Sequence, residues 1–187
     1  MGSRPLLAKA GLTSVRGTLA ALWGVVGVAA IIVASLHRLL PLGQATYSHS
    51  LTWAHWLAIS TWVPIATWLE GYRGFHLSFS PMVASRARYL RDHPRPLHAV
   101  LAPLFCIGLI HATRRRVIRS TALTLGITAA VLLVRQVSQP WRGIIDLGVV
   151  GGLTFGLASL LYWSFRALTS DAFHFPPEVP EDTRSPS

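Results

Sequence analysis

Residues 17–36, GTLAALWGVVGVAAIIVASL, run for twenty positions without a charge. As a helix this stretch is about 30 Å long, the thickness of a bilayer's hydrocarbon core. Composition agrees with it. Charged residues make up 13% of the 187 and hydrophobic ones 51%, about half the charged share of an ordinary soluble domain. The chain therefore reads as a membrane protein and, at this length, as one domain.

Further apolar runs follow. Residues 51–69, LTWAHWLAISTWVPIATWL, carry Trp53, Trp56, Trp62 and Trp68 toward their ends, the pattern of interfacial aromatic belts, and Pro64 as a kink. Residues 120–134 form a shorter run with Ala122, Gly126 and Ala130 four apart. Residues 143–165 carry Gly148, Gly152 and Gly156, also four apart. Small residues at this spacing let helix backbones approach closely. We expect the glycine stripe to pack inside the molecule, against the stripe of 120–134.

Residues 97–112, LHAVLAPLFCIGLIHA, are ambiguous. Sixteen residues make about 24 Å of helix, short of a crossing, and Pro103 sits near their middle. Before them, residues 70–96 read as a loop. Within it Ser80-Pro81 reads as a helix start, and 81–92 as an amphipathic helix on the membrane surface. From 169 to 187 the chain is acidic and proline-rich, which predicts disorder. The basic lead-in, 1–16, resembles a signal-peptide start. The run after it is too long for a signal core and lacks a cleavage pattern, so an uncleaved anchor is expected.

Charge then chooses between topologies. Net charge is +10, with seventeen basic residues. If 97–112 crosses, there are five spans, and Arg114, Arg115, Arg116 and Arg119 lie outside. If it dips in and returns as a re-entrant or interfacial hairpin turning at Pro103, there are four. Fourteen bases then face the cytoplasm, and only Arg38, Arg135 and Arg142 lie outside. The positive-inside rule favours the second. The expected fold is an all-α polytopic membrane helix bundle, four transmembrane spans plus the hairpin, with five spans as the alternative. The N-terminus is expected in the cytoplasm, and the composition is in the style of a bacterial inner-membrane protein.

Polar residues near the membrane are the functional candidates. Glu70, Arg73 and His76 fall where the second span ends, with Glu70 and Arg73 spaced for an ion pair. In the four-span topology His98 and His111 return to the same interface, beside His93, and His with carboxylate can bind metal or exchange protons. The plainer account is a helix-end ion pair with interfacial histidines, and it is preferred. In the five-span topology His111 instead joins His37, His49 and His55, and His55 is the best placed for haem. Asp146 is the one acid inside an apolar run, and Arg142 four residues before it supplies a structural partner. Cys106 is the only cysteine, so no intramolecular disulfide forms. Zinc signatures, nucleophile elbows and phosphate loops are missing from the sequence.

The expected role is therefore a non-enzymatic accessory or scaffold component. Its basic face, with Arg86, Arg88, Arg91, Arg114, Arg115 and Arg116, would meet anionic lipid headgroups, an acidic partner or other membrane subunits. Nucleic acid is not an expected partner, because the bases flank apolar runs. No cofactor is predicted. The alternative is a membrane-embedded enzyme or cofactor carrier using Glu70, His76, His98 and His111.

Overall fold

The computed structural model describes residues 4–94, 96–110, 114–170, 173–177 and 179, with side chains from residue 15 onward except those of 116 and 119. Everything regular in it is helical: α1 (Arg4–Gln44), a 3-10 turn (Ala45–Ser48), α2 (Trp53–Ala66), a π-helical segment (Thr67–Phe79), α3 (Ser80–Asp92), α4 (Pro96–Val100), α5 (Ala102–Ile107), α6 (Arg114–Val134) and α7 (Trp141–Thr169). Among the described residues there is no strand.

Among the described residues, two helices are long and apolar enough to cross a membrane: Val15–Ser48 and Trp141–Thr169. In the other two expected spans the α-helical apolar stretch is shorter than that. α2 is α-helical for 14 residues before the π segment begins, and the apolar part of α6 is only Ser120–Val134.

The region expected as a loop, 70–96, is helical as far as Asp92. Ala66, Thr67, Phe79 and Ser80 are all right-handed helical, so α2, the π segment and α3 form one continuous rod from Trp53 to Asp92. Ser80 is no N-cap. Its N–H donates to the Phe75 carbonyl, five residues back, and Pro81, which has no N–H, then opens the α-helical register. Nor does 81–92 lie on a surface. Ser80 to Ala87 and Leu90 are buried, because α1, α5 and α7 close over them. The moderate amphipathicity that suggested a surface helix arises from a helix buried among apolar neighbours on most sides.

α1, the Trp53–Asp92 rod and α7 form the bundle. At one end Thr46 meets Gly143 and Gly43 meets Leu147; at the other Gly17 meets the Arg91 backbone. The glycine stripe of α7 packs against the rod and not against α6. Gly148 receives Trp62 and Ala66, Gly152 receives Glu70, and Gly156 receives the ring of Phe75. Small spacing shows that a close neighbour exists but not which one. α6 stands off the bundle: residues 121–133 are exposed, and nothing lies within 4 Å of a Cβ placed on Gly126.

The ambiguous run breaks into α4 and α5 at Leu101 and ends at Gly108 in left-handed geometry (φ 86°). Val100 accepts a hydrogen bond from Trp23 Nε1 at 3.4 Å. Ala102 and Cys106 meet Gly24, and Pro103 meets Gly27. Ala102, Phe105 and Cys106 are fully buried beneath α1 and α3. The core combines these with Ala20, Ala21, Val25, Val28 and Ile32 of α1, Met82, Val83, Ala87 and Leu90 of α3, and Leu160 of α7.

Candidate functional site

The π segment carries the polar residues singled out in the sequence, and it faces α7. π-helical turns are rare and recur at functional positions. Glu70 is half-buried where α7 presents Gly152; a Cβ there would lie 2.9 Å from its carboxylate. Gly71 allows the same close approach to Phe155. The expected Glu70–Arg73 pair is not what Arg73 makes. Its guanidinium lies 5.5 Å from the Trp68 ring centre, five residues back. Five-residue neighbours stack in a π-helix and three-residue neighbours diverge, so the local winding redirects the side chain.

His76 is the most tied-down of the set. Its Nδ1 is 3.0 Å from Ser159 Oγ, and its carbonyl accepts from Trp163 Nε1 at 3.0 Å. Tyr72, Phe155, Tyr162 and Trp163 surround the imidazole at centroid distances of 5.5, 6.3, 6.1 and 5.5 Å. Beside this box lies an open apolar groove of about 440 Å³, lined by Val63, Pro64, Thr67, Trp68, Tyr72 and Phe155. Ser159 and Trp163 were not foreseen. Yet Gly152, Gly156, Ser159 and Trp163 fall on one helical face, so extending the glycine stripe by one turn and then another reaches both.

A second polar focus lies at Arg86, which is fully buried. Its Nε donates to the Phe105 carbonyl at 2.6 Å, Nη2 to Ile110 at 2.7 Å and Nη1 to Pro177 at 2.9 Å. The guanidinium also sits 4.3 Å from the centre of the Phe105 ring. One side chain thus ties α3, the end of α5 and the C-terminal segment together. In this conformation Arg86 meets carbonyls and not a headgroup. Arg88 donates to the Ser170 carbonyl at 2.6 Å, and Arg91 to that of Leu168 at 2.8 Å. Both place positive charge at the C-terminal end of α7, where the helix dipole is negative. Arg91 and Arg88 also lie 2.9 and 3.9 Å from Asp92. Arg114 and Arg115 are exposed at the start of α6, and the Arg116 side chain lies outside the described residues. Within the stretch expected as a disordered tail, Phe173 meets Trp163, and Ser85 Oγ lies 3.4 Å from the Pro176 carbonyl.

The proposed histidine cluster does not assemble among the described residues. His98 is buried in α4 and stacks on Phe105 at 5.0 Å, on the α1 side of the molecule, while Glu70 and His76 face α7. His111 lies outside the described residues. His55 caps α2 through Thr52 and packs on Trp141 at 4.8 Å. No group of three or more His, Cys, Asp or Glu side chains among the described residues could hold a metal ion. Asp146 makes the i, i+4 pair that its spacing predicts, with Arg142 at 3.8 Å. Burial pushes the Cys106 thiol up to about 12, against the opposing effect of the Arg86 charge.

Searches of family models, curated proteins and solved structures find no match to this chain.

Proposed function

We propose that the protein is a multi-pass bacterial inner-membrane protein acting as a non-enzymatic accessory or scaffold component, with a basic cytoplasmic face on anionic lipid. One observation carries the reading: large apolar side chains point outward from helices of crossing length, while the polar groups hold helices to each other. Leu19, Leu22, Trp23, Val26, Ile31 and Val33 are exposed on α1, and Leu161 and Phe165 on α7. A monomer in water does not sustain so continuous an apolar surface, whereas lipid covers it without cost. Arg86 and His76 meanwhile make contacts that position helices.

In this reading the N-terminus is cytoplasmic and the chain crosses four times, near 17–36, 51–69, 120–134 and 143–165. Two things support four crossings over five. The charge count places fourteen bases inside. The described part of the 97–112 run breaks into two short helices whose Ala102, Phe105 and Cys106 are covered by α1 and α3, and irregular backbone at membrane depth is tolerated where protein covers it. The test is the sidedness of position 115. With Cys106 replaced by Ala and Arg115 by Cys, an impermeant maleimide should label only lysed cells. Labelling in intact cells would mean five spans and put the arginine cluster outside.

One observation favours a second reading, a membrane-embedded hydrolase. The Ser159–His76 pair sets a hydroxyl beside a base, next to an apolar groove. A fluorophosphonate probe should then label the wild type and not Ser159→Ala; no adduct in the wild type removes this reading.

A further inference from the structure

The C-terminal segment is fastened to the most basic part of the chain by backbone atoms. Pro177 gives its carbonyl to Arg86 and Pro176 gives its carbonyl to Ser85, 2.9 and 3.4 Å from the donors. Val179 packs against the core cluster, and Phe173 meets Trp163 at 6.1 Å. Over its described residues the segment has no regular structure; His174, Phe175 and Pro176 are exposed. Beneath it Arg86 is fully buried. A guanidinium is a rigid planar fork, and the three carbonyl oxygens that it holds here, two from 105–110 and one from the C-terminal segment, take positions that phosphate oxygens also satisfy. The sequence of this region is acidic: Glu178, Glu181 and Asp182 follow the fastened prolines. An anionic membrane surface repels such a segment and attracts arginines, each by about 1 kcal/mol per charge near the surface.

We propose that residues 173–177, with Val179, are a strap occupying an anion-binding position at Arg86, and that the phosphate of an anionic lipid displaces it. The site rests on the reading of the basic face as lipid-contacting, and the strap decides when that face is complete. In the closed state Arg88 and Arg91 remain partly exposed, while Arg86 is closed off. Lifting the strap takes the Pro177 carbonyl away from Arg86 Nη1, and a headgroup oxygen takes its place.

The experiment uses full-length protein in nanodiscs, which expose both faces. With Cys106→Ala and Val179→Cys, a partly buried position packed against the core cluster, an impermeant maleimide reports strap release. Labelling should be about five-fold or more faster in discs containing phosphatidylglycerol than in phosphatidylcholine alone, as one surface charge's worth of attraction implies. Arg86→Ala should label fast in both lipids. Because that variant can fail to fold, a chain ending at Ala172 serves as a second arm, and it should retain more phosphatidylglycerol in native mass spectrometry than the full chain. Equal labelling in the two lipids, or equal retention with and without the strap, overturns the strap. Wild-type protein that retains phosphatidylglycerol no better than phosphatidylcholine overturns the lipid-contacting face itself, which separates the two failures.

Discussion

Arg86 shows how far a residue's role can lie from its type. By composition it belongs to a basic face; by position it is enclosed and saturates three carbonyls. Arg86→Ala leaves those acceptors without their donor, at about 1–3 kcal/mol each, so we expect a loss of about 3 kcal/mol or more. Arg86→Lys should recover only part, since an ammonium has no fork. Thermal unfolding in detergent measures both, and an unchanged melting temperature for Arg86→Ala would sink the role. Cys106 makes the opposite case, a reactive type held inert. With its thiol pushed up to about 12 and no exposure, it stays protonated at neutral pH. Maleimide should modify it only after unfolding; rapid labelling of folded protein would show that α5 does not sit under α1 and α3. Neither burial is visible in sequence. Arg86 sits beside two other arginines in a stretch of ordinary polarity, and its enclosure comes from segments 19, 24 and 91 residues away.

Helices differ in how much of their packing can be read in advance. The stripe Gly148, Gly152, Gly156 announces a tight contact, and the contact exists. The same spacing in α6, at Ala122, Gly126 and Ala130, announces one that the described chain does not make. Substitution separates the two. Gly148→Ala and Gly156→Ala push a methyl group into Trp62 and Phe75 and should each destabilise by about 1–3 kcal/mol. Gly126→Ala meets nothing and should hold stability or raise it by up to about 1 kcal/mol through helix propensity. Melting temperatures of the three variants decide it; a Gly126→Ala variant as unstable as Gly156→Ala would mean that α6 packs where the structure leaves it free. The π segment was beyond reading. Two glycines and a Ser-Pro step suggest turns, but the α7 surface pulls the same residues into a wide helix, with Gly71 serving Phe155 and not a bend.

For the whole molecule, the membrane reading predicts behaviour in bulk. The protein should remain in the membrane pellet after alkaline carbonate washing and leave it only with detergent; release by carbonate would refute integral insertion. The sequence by itself determined the class: helical and apolar, with uncharged runs of bilayer length and bases gathered between them. Those are properties of residues counted along the chain, and solvent preference acts on each residue where it stands. Tertiary structure alone decided which helix fills the glycine stripe, that the middle of the chain is one rod, that His98 parts from His76, and that an arginine lies inside. Each of those depends on the distance between residues far apart in sequence, and no local pattern encodes which of several apolar surfaces a helix will meet.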